Sequence, residues 1–100
     1  MTIERNEAKH RFEANMGDEV VSLVYRDRDD GTLVLVHTEV PDALQGRGLG
    51  GELAKAALEY ARASGRRVVV LCPFVKAYLE RHPEYHDLVV DAPPRGRAIR

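Results

Sequence analysis

Thr32-Leu33-Val34-Leu35-Val36-His37-Thr38-Glu39, followed by Val40-Pro41-Asp42 and then Gln45-Gly46-Arg47-Gly48-Leu49-Gly50-Gly51, is a strand pattern running into a glycine-rich turn. Pro41 lacks the N–H that a further ladder bond requires, so the strand ends there. Beyond the glycines the period changes, with Leu49, Leu53, Ala57 and Tyr60 (or Ala61) recurring at helical spacing. Ser64-Gly65 is a C-terminal stop, so the expected helix runs from Gly46 to Ser64. Glu52, Lys55 and Glu59 are spaced for i,i+3 and i,i+4 charge pairs on its outer side.

Upstream, residues 8–16 alternate. Ala8, His10, Phe12, Ala14 and Met16 share one face, and Lys9, Arg11, Glu13 and Asn15 the other, as in a strand with one buried side. Gly17-Asp18 reads as a turn, residues 19–28 as a second strand, and Asp29-Asp30-Gly31 as a hairpin turn. Residues 32–39 complete an antiparallel meander. Downstream, Val68-Val69-Val70-Leu71-Cys72 is apolar on both faces, the pattern of a central strand covered by helices. Pro73 opens a shorter helix through Arg81, stopped before Pro83, and Leu88-Val89-Val90 is a candidate last strand. The order β-β-β-α-β-α-(β) describes an α+β sandwich, an antiparallel meander followed by a right-handed crossover to a parallel strand.

A chain of 100 residues holds one modest core, and a single domain over residues 1–91 is expected. Residues 92–100 read as a flexible basic tail, with Arg95, Arg97 and Arg100 after Pro93-Pro94; a weak anion-binding appendage is the sharper reading. The composition is 44% hydrophobic and 31% charged with a net charge of −1, which argues against broad attraction to nucleic acid or an anionic membrane. One cysteine excludes an internal disulfide and a multi-Cys zinc site. With a charged rather than apolar start, Met1 to Arg11, it points to a reducing cytoplasm. His82 and His86 stand at i,i+4, but Pro83 interrupts the helix between them and no third ligand is evident, so no metal is expected.

The glycines carry the chemistry. A helix N-terminus presents unpaired N–H groups and a partial positive charge, and glycine lets backbone approach an anion closely. Together these make a phosphate site, with Arg47 adding charge at its rim. The plainer alternative is a tight turn with close helix–sheet packing. Gly46-Arg47-Gly48-Leu49-Gly50-Gly51 formally matches a dinucleotide fingerprint. That motif requires a doubly wound parallel sheet and an acid after the next strand, where this chain has Leu71-Cys72-Pro73. A Walker-type loop is excluded because no Lys-Ser or Lys-Thr follows.

Gln45-x-x-Gly48-x-Gly50 resembles the Gln/Arg-x-x-Gly-x-Gly/Ala motif of the GNAT superfamily of acetyltransferases. With His37-Thr38-Glu39-Val40, Leu71-Cys72-Pro73-Phe74-Val75 and His82-Pro83-Glu84-Tyr85, the chain resembles the branch of very small, single-domain GNAT-like proteins over residues 8 to 90. The resemblance implies acetyl-coenzyme A as cofactor. It further implies that Thr38, Glu39 and Val40 pair by main chain with the pantetheine arm, and that Gln45, Gly46, Arg47, Gly48, Leu49 and Gly50 cradle the pyrophosphate. Cys72, Pro73 and Phe74 would lie beside the thioester, and Tyr78 would protonate the leaving thiolate. The chain lacks the additional N-terminal helices of larger members, and Cys72 stands nearest to where they carry an Asn.

Acyl transfer needs a base for the amine, stabilisation of the carbonyl oxygen and an acid for the thiolate. Glu39 and His37 share a strand face and are candidate bases; each is equally readable as a structural or solvated residue. Cys72, at a strand end before a helix start, is a candidate covalent acyl carrier or an inert wall of the cofactor slot. Tyr78 is a candidate general acid or a core tyrosine. The expected activity is N-acetyl transfer to a primary amine, either a small molecule or a Lys side chain. The alternative is a non-catalytic module that binds coenzyme A. A monomer or weak homodimer is expected, with neither nucleic acid nor membrane as partner.

Overall fold

Three tight turns and one helical crossover organise the chain. The computed structural model describes residues 2–90. The expected basic tail, residues 92–100, lies outside them. Strands β1 (Glu4–Asn6), β2 (Arg11–Met16), β3 (Glu19–Asp27) and β4 (Leu33–Glu39) follow one another antiparallel across the sheet. Helix α1 (Leu49–Ala63) then crosses over to β5 (Val68–Val70), which pairs parallel to β4. Helix α2 (Pro73–Glu80) follows, and short 3-10 helices occupy Asp42–Leu44 and Pro83–Leu88. The sheet order is β1-β2-β3-β4-β5.

The mixed sheet with its parallel pair is the architecture expected, with differences at the ends of elements. The alternation over residues 8–16 becomes strand only from Arg11, because Glu7 to His10 form a turn and His10 has φ 54°. The strand before that turn, β1, is polar and edge-placed, so no apolar pattern announces it. Tertiary bonds hold it: Arg5 Nη1 donates to the Tyr25 hydroxyl at 3.1 Å, its guanidinium lies 4.6 Å from the centre of the Tyr60 ring, and Asn6 Nδ2 donates to Glu13 at 3.1 Å. Helix α1 begins at Leu49 rather than Gly46, since Gly46 and Gly48 have φ of 83° and 75°.

Val68-Val69-Val70 is buried on both faces, yet β5 is shorter than Val68–Cys72 and stands last in the sheet order rather than centrally. The expected final strand is reduced to one parallel bridge, Val68 to Val89, with Val90 N–H donating to the Val68 carbonyl at 2.8 Å. Leu88 is taken up by the preceding 3-10 helix. On α1, Glu59 accepts the Tyr85 hydroxyl at 2.6 Å, which pins the 3-10 helix Pro83–Leu88 against α1.

One core lies between the sheet and the helices. Phe12, Leu23, Tyr25, Leu33, Leu35, Val68 and Val70 face Leu53, Ala57, Leu58 and Ala61 of α1 and Val75 and Leu79 of α2. The small alanines let α1 sit close over the strands. No helix among the described residues is long and apolar enough to cross a membrane.

Leu53 is fully buried, so Leu53→Ala is expected to destabilise the fold by about 2–5 kcal/mol. Denaturant unfolding checks this through a lowered midpoint with an unchanged slope.

Candidate functional site

The site begins where the parallel pair parts. Pairing of β4 with β5 ends at Leu35 and Val70. There the Leu35 carbonyl accepts two donors, Leu71 N–H at 2.9 Å and Cys72 N–H at 3.2 Å. The β3–β4 register also shifts, with Leu35 opposite Tyr25 and His37 opposite Val24, leaving Val36 between the pairings. A bulge of this kind bends a strand and stops its pairing. Beyond it Thr38 pairs with Leu23 and so shares the helix-side face, while His37 and Glu39 point to the other.

The turn into α1 forms the opposite wall. Gln45 Nε2 donates to the Val40 carbonyl at 3.1 Å and to Asp42 at 3.4 Å, folding the loop back on the end of β4. Gly48 is the N-cap of α1 in the left-handed region and offers no side-chain cap. The first helical bond runs from Glu52 N–H to the Gly48 carbonyl at 3.1 Å, so the N–H groups of Leu49, Gly50 and Gly51 precede it without helical partners. A Cβ on Gly46 or Gly48 would meet nothing within 4 Å, so the space beside the turn is open. Gly50 differs, because its Cβ would lie 2.7 Å from the Phe74 ring. The glycines thus serve both readings: Gly46 and Gly48 shape the anion-binding turn, and Gly50 permits contact between α1 and α2.

Between these walls lies a cavity of about 950 Å³. Thr38, Glu39, Val40, Gln45, Gly46, Gly48, Leu49, Gly50, Phe74 and Tyr78, all singled out from the sequence, line it together. Four other expected residues stand outside the lining. Arg47 and Pro73 are exposed. His37 lies on the outer face with Nε2 2.9 Å from Glu39 Oε2. Cys72 is 3% exposed at the N-cap of α2, and its Sγ lies 3.3 Å from Thr38 Oγ1.

Val20, Pro41, Leu44, Gly51 and Arg81 also line the cavity. Arg81 was within reach of sequence reasoning, since Phe74, Tyr78 and Arg81 stand at i, i+4 and i+7. Val20 and Leu44 gave no such signal, because their places depend on how β3 starts and how the loop after Pro41 folds.

Tyr78 is 7% exposed and stands beside the start of α1, with its ring edge 3.6 Å from where a Gly51 Cβ would lie. Burial raises its phenol above the ordinary value, and the carboxylates of Glu84, Glu52 and Glu59 add to the effect while Arg81 opposes it. Tyr78 therefore keeps its proton at neutral pH. Among the described residues no group of His, Cys, Asp and Glu is arranged to hold a metal ion. The unpartnered amides and open glycine turn suit a phosphate group.

A profile of the GCN5-related N-acetyl-transferase family matches residues 11–88. The chain belongs to that family. Among curated proteins, Protein NATD1 of Xenopus tropicalis is 36% identical over 61 residues, covering 61% of this chain and 56% of that protein. Protein NATD1 of Homo sapiens is 41% identical over 49 residues, 49% of this chain and 43% of that protein. The chain thus spans about half the length of these curated relatives. Protein NATD1 of Danio rerio is 26% identical over 95 residues, covering 90% of this chain and 86% of that protein. The NMR structure of a GCN5-like protein from Staphylococcus aureus matches at a TM-score of 0.71 and 26% identity, covering 98% of this chain and 96% of that one.

Gly50→Ala tests the family turn where it meets α2. Phe74 is 43% exposed, so its ring can swing away, and the stability loss is expected to stay below about 1 kcal/mol. The ring must then shift within the cavity wall. Aromatic NMR shifts of Phe74 should move while the unfolding midpoint hardly changes.

Proposed function

We propose that this chain transfers an acetyl group from acetyl-coenzyme A to a primary amine. The observation that carries the reading is the set of unpartnered N–H groups at Leu49, Gly50 and Gly51, opening beside left-handed Gly46 and Gly48 into the cavity. In this reading the turn Gln45 to Gly50 holds the pyrophosphate. The edge of β4 at Thr38 to Val40, which has no β5 partner, pairs with the amides of the pantetheine arm as it would with an added strand. Family membership supports both assignments.

Transfer to an amine forms a C–N bond and breaks a C–S bond, whose electron pair stays on sulfur. The nitrogen loses a proton and the sulfur gains one. Tyr78 Oη holds a proton for the sulfur, favoured by its elevated phenol pKa. Glu39, last residue of β4 and part of the cavity lining, accepts the proton of the amine, with His37 against its carboxylate. Direct attack by the amine is favoured over an acyl-cysteine relay, because Cys72 is buried, bound to Thr38 and outside the cavity lining. The acceptor is a small amine or a Lys side chain, reaching the cavity from its open side.

Calorimetric titration with acetyl-coenzyme A is expected to show micromolar binding, abolished by Gly48→Glu, which sets a carboxylate against the phosphates. Absence of binding in the unaltered chain would sink the proposal. Tyr78→Phe is expected to lower kcat by about 10²-fold while leaving acetyl-coenzyme A affinity within about twofold. Binding without turnover across polyamines, amino acids and Lys peptides would instead favour a coenzyme A-binding module.

A further inference from the structure

His82-Pro83-Glu84 lies outside the cavity lining, yet it is built around Tyr78. The His82 ring stacks on the Tyr78 ring with centroids 4.0 Å apart and planes 15° from parallel. The imidazole is itself fixed. Its Nδ1 lies 3.1 Å from Glu84 Oε2, and the His82 backbone N–H donates to the Leu79 carbonyl at 3.1 Å. Pro83 fixes the chain direction, since a residue before proline is kept from the helical region. His82 accordingly has φ −135° and ψ 71°, which ends the run after α2 and turns the imidazole back over the preceding turn. Tyr85 then anchors this segment to α1 through Glu59.

We propose that His82 is a positioning residue: stacked on Tyr78 and held by Glu84, it fixes the phenol at the cavity wall and couples its acidity to the charge of the imidazole. The proposal rests on the reading of Tyr78 as the acid of acyl transfer. A half-buried histidine has no need of a parallel stack and a carboxylate on Nδ1 merely to end a helix. The arrangement leaves the Tyr78 ring bounded by Gly51 of α1 on its edge and by His82 on its face.

Among the described residues, the charges that act most on Tyr78 are those of Glu84 in the segment after α2, Glu52 and Glu59 from α1, and Arg81 at the end of α2. His82 lies against the ring face, and the neutral Tyr85 lies 6.5 Å away. The carboxylates favour the neutral phenol and Arg81 favours the phenolate. Protonated His82 places a second positive charge against the ring face, which makes the phenol a stronger acid. Glu84 lies against Nδ1, so a positive charge on the imidazole would have a carboxylate partner beside the buried Tyr78 ring.

The test uses tyrosine labelled with ¹³C at Cζ, in the unaltered chain and in His82→Phe and His82→Ala, scanned from about pH 5 to pH 8 where histidine exchanges its charge. The Tyr78 signal of the unaltered chain should show a step as His82 titrates. His82→Phe keeps the stack and should keep the ring shifts while losing the step. His82→Ala should lose both, and with them about tenfold or more in kcat at unchanged acetyl-coenzyme A affinity, as expected when a reacting group is no longer held in register. A Tyr78 signal without a step, and unmoved in His82→Ala, overturns the proposal whatever the activity. Should all three proteins lack turnover while the Tyr78 shifts behave as stated, the positioning role stands and the acyltransferase reading falls.

Discussion

A single backbone carbonyl ends the parallel pairing on which the site depends. The oxygen of Leu35 takes both Leu71 N–H and Cys72 N–H, so the last bond of the β4–β5 ladder is also its terminus. The extra residue at Val36 turns β4 at the same level. Two strands that continued in register would close their hydrogen bonds against each other and leave nothing for a guest. Parting instead, they expose the main chain of Thr38 to Val40, while the turn after Pro41 brings the start of α1 over the gap. Thr38 and Cys72 still touch through their side chains at the level where the strands part, behind the lining of the opening.

The glycine cluster meets two demands in six residues. Gly46 and Gly48 take backbone angles that bend the chain sharply and leave three amides aimed away from the helix. Gly50 and Gly51 are helical, and Gly50 matters for what it lacks, since the Phe74 ring occupies the space that a side chain there would fill; the Tyr78 ring lies at ordinary contact distance, 3.6 Å, from where a Gly51 Cβ would stand. The same stretch that suits a phosphate therefore seats α2, and the residues at the cavity wall are held by the packing of the two helices. The choice between a binding turn and a structural turn dissolves once the positions are separated.

Much of this was legible in the sequence, and where it was not the reason is local. The period changes at Pro41 and Gly46 marked the crossover, and ten residues named from the sequence share one cavity. β1 escaped because Glu4-Arg5-Asn6 has no apolar residue to alternate; it is strand only through its neighbours Tyr25, Tyr60 and Glu13. Val68-Val69-Val70 reads as central because it is buried on both faces, yet it stands last in the sheet, its far side met among the described residues by a single bridge from Val89, with Val90 N–H on the Val68 carbonyl. Val20 and Leu44 enter the cavity through the path of loops that no spacing encodes. His82, legible as a break before Pro83, gains its meaning only from the ring it lies against.

The two ends of the sheet bear on how the protein behaves among copies of itself. Unpaired strand edges invite further strands, and this sheet offers little of either. β1 is three polar residues long, too brief to template a neighbour, and β5 is equally short with Val89 and Val90 already bonded along its outside. Among the described residues, the backbone edge most able to accept an extended guest is the one beyond Leu35, which opens into the cavity. The blunt ends discourage chance pairing at the rims, and the capacity for strand addition is turned inward, where the walls choose what may enter.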